Sequence, residues 1–274
     1  MYNVKMHIIL VIAFCLGVAF SGRSVKAEDF DYQTAYKDYQ YNYNLYNKLH
    51  DEYQLARASY MQYGTLLSEE EAKKVTLAML QARDGTITTY LTALRMRIKE
   101  NRGLGDSEKE SLFRRIDPEA SYFEEHKGKL ASVGSLEDFV EDSDEAKERF
   151  SDSTEFVFYT SLTNIAIGNT AYERKQIEEV IANLKSKISD IKLAGDKDVS
   201  VFDRFFVEID NKLQRSREKE DSAKDIIGKS EESYRKDDKV GYYNDAVGSV
   251  QGSYLYLKEI VSYLKEIIRI IKIK

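Results

Sequence analysis

The chain has 274 residues, 41 of them basic and 47 acidic, with one proline, one cysteine, 14 glycines, 20 tyrosines and no tryptophan. Average usage would supply roughly 14 prolines, and strand-rich folds need the turns that Gly and Pro make, so sandwiches, barrels and collagen-like repeats are disfavoured. Proline breaks helices because it lacks the N–H donor and clashes with the preceding turn, so its scarcity favours long helices.

The amino end has the pattern of an export signal. Lys5 makes it basic, and residues 8–20, IILVIAFCLGVAF, form an apolar run. That run is shorter than the about 20 residues a span needs and suits the apolar region of a signal peptide. Val25-Lys26-Ala27 supplies an A-x-A-like site, so cleavage is expected between Ala27 and Glu28, with an uncleaved anchor as the alternative. Cys15 lies inside the apolar run behind Phe14, which does not suit a lipidated cysteine. The mature chain is then cysteine-free, without disulfides or cysteine-ligated zinc. Cleavage removes Lys5, Arg23 and Lys26 from the 41 basic residues and none of the 47 acidic ones, leaving a net charge of −9. That charge argues against nucleic acid as a general partner and against simple adsorption to anionic lipid.

The first helix is expected at about 29–63. Tyr32, Tyr36, Tyr39, Tyr43, Tyr46, His50, Tyr53, Arg57 and Tyr60 recur along it at three-four spacing. Tyrosine combines an apolar body with a hydroxyl tip, so the stripe reads as core. As an interaction surface, Tyr32, Tyr36, Tyr39, Tyr43 and Tyr46 are the candidates. A turn at Gly64–Leu67 and a capping box at Ser68–Glu71 open helix two, about 69–101. Asp84 interrupts its apolar seam, as His50 interrupts the tyrosines. An antiparallel hairpin turning near 66 sets position 84 opposite 48–50. Asp84 is therefore expected to pair with His50 or a nearby tyrosine hydroxyl in a polar register layer, the alternative being that it turns outward beside Gly85.

Helix two ends at the Asn101–Gly105 turn, and 106–133 reads as a broken helix, with Asp117 non-helical and Pro118 opening a new segment. Gly134 and Ser135 punctuate again, before an acidic run at 137–155 that reads as a solvated face. A long helix at about 153–193 begins with FVFYTSLTNIAIG, residues 156–168, expected at the bundle centre. It continues with the seam Ile177, Ile181, Leu184, Ile188 and Ile191 up to Gly195. Helix five, about 199–236, uses Phe202, Phe206, Ile209, Leu213, Ile227 and Tyr234, and a turn is expected near Asp237–Asp238. The last helix carries two stripes: Val247, Val250, Tyr254, Leu257, Val261, Leu264, Ile268 and Ile271, and beside it Tyr256, Ile260, Tyr263, Ile267 and Ile270. Two stripes make a wide apolar face that packs on two neighbours. The fold class expected is all-α: an elongated, coiled-coil-like antiparallel bundle of five to six long helices. The expected organisation is a signal peptide at 1–27, a hairpin with a broken third helix at 28–134 and a three-helix segment at 135–274, the last two forming one bundle if nothing divides them near 134.

Catalytic patterns are sparse. Neither His50 nor His126 lies in Glu-x-x-His, and no phosphate loop or nucleophile elbow is present. Ser-x-x-Lys at Ser189, Ser216 and Ser262 matches chance frequency. Asp196-Lys197-Asp198 starts like a calcium loop but lacks its glycine and closing glutamate, and reads as a polar turn. Gly248-x-x-x-Gly252 suggests a close helix crossing. No catalytic, metal or cofactor residues are assigned. The function expected is that of an exported, non-enzymatic binding or scaffold protein at the cell envelope or outside, with an unidentified protein or envelope component as partner. Alternatives are a membrane-active protein, using 156–168 or the cationic apolar end Ile267–Lys274, and a carboxylate-only hydrolase.

Overall fold

The computed structural model describes residues 30–193, 200–232 and 236–273. The Ala27–Glu28 junction, Gly195, Asp196–Val199 and Tyr234 lie outside the described residues. Among the described residues every regular element is helical: α1 (Tyr32–Tyr63), α2 (Leu66–Glu100), α3 (Asp106–Lys129), α4 (Leu136–Arg149), α5 (Glu155–Leu193), α6 (Ser200–Lys229) and α7 (Lys236–Ile273). A π turn, Phe150–Thr154, joins α4 to α5 without a break, so these helices make six rods. The fold is an all-α bundle, and Tyr32–Lys274 forms one unit undivided at 134.

Helices α1 and α2 form an antiparallel hairpin. The turn is tighter than the sequence suggests, because Gly64 takes a positive φ of 57° that costs glycine little. Thr65, not Ser68, is the N-cap: its hydroxyl accepts from the Ser68 N–H (3.2 Å), and Ser68 Oγ accepts from the Thr65 N–H (3.0 Å). The expected Ser68–Glu71 box is replaced by one starting three residues earlier. At the other end of the hairpin the Tyr32 N–H donates to Glu100 Oε1 at 2.7 Å.

Helix α3 passes straight through Pro118, where the sequence suggests a break. Leu112, Ile116, Glu119, Phe123 and His126 are buried at four-three spacing on both sides of the proline. Tertiary burial of that stripe overrides a local penalty of about 3 kcal/mol.

Helix α5 is the shared element. Its first part packs near α2 and α3, and most of residues 156–168 are buried. Its second part joins α6 and α7 around Ile181, Leu184, Ile188, Phe202, Phe206, Ile209, Leu257, Ile260 and Ile267. A second apolar cluster combines Tyr159 and Ile167 with Ala223, Ile227, Ala246 and Val250. Between these clusters in sequence lies a polar layer: Ser216 Oγ is 2.8 Å from Ser253 Oγ, Ser253 donates to Glu220 (3.0 Å), and Arg174 pairs with Glu220.

Helix α7 begins at Lys236, so Asp237 and Asp238 belong to the helix and not to a turn. Beyond Lys239 near its start, its buried positions are Ala246, Val250, Ser253, Leu257, Ile260, Leu264 and Ile267. This seam runs between the two expected stripes, because the helix is wedged between α5 and α6. Ile268, Ile270 and Ile271 pack partly buried against the same cluster.

Glycine marks a close crossing, but not at the expected place. A Cβ on Gly248 would meet open space, and one on Gly252 only the Lys219 stem at 3.5 Å. The close approach is between Gly103 and Gly168. Asn101, buried, fixes it: its Nδ2 donates to Ile165 O (3.0 Å), and its Oδ1 accepts from the N–H groups of Gly103 (2.9 Å) and Leu104 (3.1 Å). The α2–α3 turn is thereby seated on α5.

The hydroxyls of Thr160, Ser161 and Thr163 in α5 are buried without a hydrogen-bond partner among the described residues. An unsatisfied buried polar group costs about 1–3 kcal/mol, and an apolar group of the same shape removes that cost. Thr163→Val is therefore expected to raise stability by about 1 kcal/mol, read as a higher urea midpoint at unchanged slope. A lower midpoint would show that the hydroxyl is bonded in solution.

Candidate functional site

The tyrosine stripe faces α2. Tyr39 is buried, and Tyr32, Tyr36, Tyr43 and Tyr46 are half-buried. Successive rings from Tyr32 to Tyr43 lie 5.6, 5.7 and 6.0 Å apart, the first pair stacked and the next two tilted, and Tyr39 meets Tyr90 of α2 at 4.9 Å. Burial pushes the hydroxyls of Tyr39 and Tyr46 above the usual tyrosine range. The stripe is chiefly the hairpin's own seam, so these rings offer little free surface.

The hairpin tip is different. Met61 is 74% exposed, Tyr63 63%, Leu66 73% and Leu67 77%. All four lie within seven residues around Gly64 and Thr65, with exposed Leu55 one to two turns below Met61. Turns are normally polar, and contiguous exposed apolar residues mark contact sites. The run Met61-Gln62-Tyr63-Gly64-Thr65-Leu66-Leu67 carried this signal in the sequence, but it reads as the inner edge of two helices until both caps are located. Acid residues border the tip: Glu69 pairs with Lys73 and Glu71 with Lys74, beside exposed Glu70.

Besides the Glu220 layer, two further buried polar centres stand among the described residues. In the first, Asp84 is fully buried and does not turn outward beside Gly85. Its partner is His126 of α3, with Nδ1 2.6 Å from Asp84 Oδ2. His126 Nε2 lies 3.1 Å from the Asp142 carbonyl, and Arg83 bonds Asp84 at 3.0 Å and Ser143 at 2.9 Å. His50 instead accepts from Gln54 of its own helix at 2.8 Å and lies between Tyr46 and Tyr53. The expected His50–Asp84 pairing fails through register. With Tyr39 opposite Tyr90, position 84 falls opposite about 45, and Asp84 faces the third helix. The Asp84 hydrogen bond holds His126 above its ordinary value of 6.5.

The second centre is Glu119, buried beside Pro118. Arg149 grips it bidentately (3.1 and 2.6 Å), and the hydroxyls of Ser153 (2.7 Å) and Thr154 (2.6 Å) donate to it. The last two belong to the π turn, a rare element often found at functional sites. Glu119 follows the buried spacing of α3, which was the available sequence clue. A cleft of about 290 Å³ opens beside it between α3, the π turn, α5 and the start of α7.

The acidic side chains of the run 137–155 are mostly exposed; Glu155 is buried and accepts from Tyr159 at 2.9 Å. No His/Cys/Asp/Glu group among the described residues is arranged to hold a metal, and no described helix is long and apolar enough to cross a membrane.

These features define the class: an all-α bundle with an apolar hairpin tip and buried ionic centres at Asp84, Glu119 and Glu220. Compared with family models, with curated proteins and with solved structures, the chain matches none.

Proposed function

We propose that the protein is an exported, non-enzymatic binding or scaffold protein that engages a macromolecular partner through the tip of the α1–α2 hairpin. The observation that carries this reading is the exposure of Met61, Tyr63, Leu66 and Leu67 together at one helical turn. Contiguous exposed apolar side chains mark interaction sites, and Tyr and Met are enriched at interfaces. Two long helices hold the tip away from the polar centres, so it is presented on a rigid support.

The test is affinity capture of envelope and medium components on the mature protein, compared with a Met61→Ser, Leu66→Ser, Leu67→Ser variant. The variant is expected to lose the captured partner while unfolding within about 0.5 kcal/mol of the parent, as exposed substitutions do. Equal capture by both would remove the tip from the contact. The same four side chains also suit a lipid surface. Flotation with zwitterionic vesicles decides: a tip-dependent float favours the membrane reading over the protein partner.

A further inference from the structure

The cleft beside Glu119 contains an ammonium group that no carboxylate among the described residues pairs with. Lys239, near the start of α7, is 7% exposed. Its Nζ donates to the carbonyl oxygens of Ser151 (3.2 Å) and Asp152 (3.3 Å). Both carbonyls belong to the π turn, where the Glu155 N–H bonds back to Phe150 O. Two neutral acceptors leave the third N–H of an ammonium and its charge unmatched, and no carboxylate pairs with Lys239 among the described residues. A buried charge without a counter-charge is costly.

The other charges are largely settled. Glu119 is neutralised by Arg149, and Glu231 by Arg115 at 2.9 Å. Arg114 lies exposed on the rim, and exposed Asp152 is the remaining acid of the lining. With Arg149 taking Glu119 and Arg115 taking Glu231, the lining keeps two cations, Arg114 and Lys239, against the one acid Asp152, and Lys239 is the buried one of the two. Phe156 and Pro118 give the cleft an apolar wall, with the Arg115 guanidinium 5.5 Å from the Phe156 ring.

We infer that this cleft binds a small oxyanion, carboxylate or phosphate, held by Lys239 Nζ and Arg114 and packed against Phe156. Charge-assisted hydrogen bonds are the strong ones, and the buried ammonium gives the anion a partner that surface lysines lack. The reading is independent of the hairpin tip.

The experiment is calorimetric titration of the mature protein with two probes, inorganic phosphate and benzoate, at fixed ionic strength. Saturable binding of one or both is expected: benzoate alone indicates a carboxylate ligand with an apolar body, phosphate alone a phosphate group. Lys239→Met keeps the stem and should weaken binding at least about tenfold, and Arg114→Gln severalfold. If Lys239→Met fails to fold, the exposed Arg114→Gln variant, with amide shifts mapped to residues 152–157 during titration, carries the test. No saturation by either probe, or saturation unchanged in the folded variants, overturns the proposal.

Discussion

Gly103→Ala is expected to destabilise the protein by about 3 kcal/mol or more, at the upper end of what overpacking costs. A Cβ there would lie 1.7 Å from Gly168 O, 2.6 Å from Gly168 C and 2.9 Å from Tyr172 N. All three are backbone atoms of α5, so no rotamer change relieves the clash; the α2–α3 turn must lift away. Lifting it would also break the Asn101 bonds to Ile165, Gly103 and Leu104. Gly168→Ala should cost somewhat less. Its Cβ would meet Asn101 Oδ1 at 2.4 Å and Leu104 Cγ at 2.8 Å, and side chains can shift. The control is Gly128→Ala in α3, with nothing within 4 Å of the added methyl, which should stabilise by up to about 1 kcal/mol. Urea midpoints of the three variants give the order. A Gly103→Ala protein as stable as the parent would show that this turn is not seated on α5.

The second large effect belongs to Asp84. Removing one partner of a buried ionic pair costs about 3 kcal/mol or more, because the other is left in a dry site. Asp84→Ala strips the partner from His126 and from Arg83, which is itself only partly exposed. The pair also sets a pH dependence. His126 has its pKa raised above 6.5 by the Asp84 hydrogen bond, with burial opposing. A raised folded-state value means the folded protein holds the proton more tightly than the unfolded chain. The contribution is therefore complete below about 6.5 and is lost as pH rises through the raised value. Around the ring stand Asp84 and Arg83 of α2, Tyr122 stacked at 5.9 Å and the Asp142 carbonyl of α4. The melting temperature should fall as pH rises above 6.5 through the raised His126 value, and His126→Gln should flatten that slope. A slope identical in parent and His126→Gln would assign it to other groups.

Periodicity carried most of the fold. The three-four spacing of Ile181, Leu184 and Ile188, and of Phe202, Phe206, Ile209 and Leu213, marks the faces that pack. Boundaries were less readable. The box at Thr65 and Ser68 starts α2 earlier than Ser68–Glu71 implies, and that shift carries Asp84 from His50 toward His126. Both are polar interruptions of apolar seams, so the sequence marks each as unusual but not which neighbour it meets; that depends on a third helix. Pro118 by its local cost implies a break, whereas the buried stripe around it decides. Lys239 looks like an ordinary surface charge in a chain rich in them, and Glu119 is marked only by its place on the buried spacing of α3. Only the π turn, which periodicity does not reveal, brings them into one cleft.

The π turn at Phe150–Thr154 also fixes a phase relation. One extra residue in a helical turn offsets everything beyond it by about 100° around the axis. Phe139 of α4 faces Met79 and Leu80 of α2, while Tyr159 and Ile167 of α5 face Ala223 and Val250 of α6 and α7. Both facings hold on a single rod because the turn rotates one segment against the other, as a keyed coupling holds two shafts at a set angle. Deleting one residue there would leave the rod intact and put its two ends out of gear.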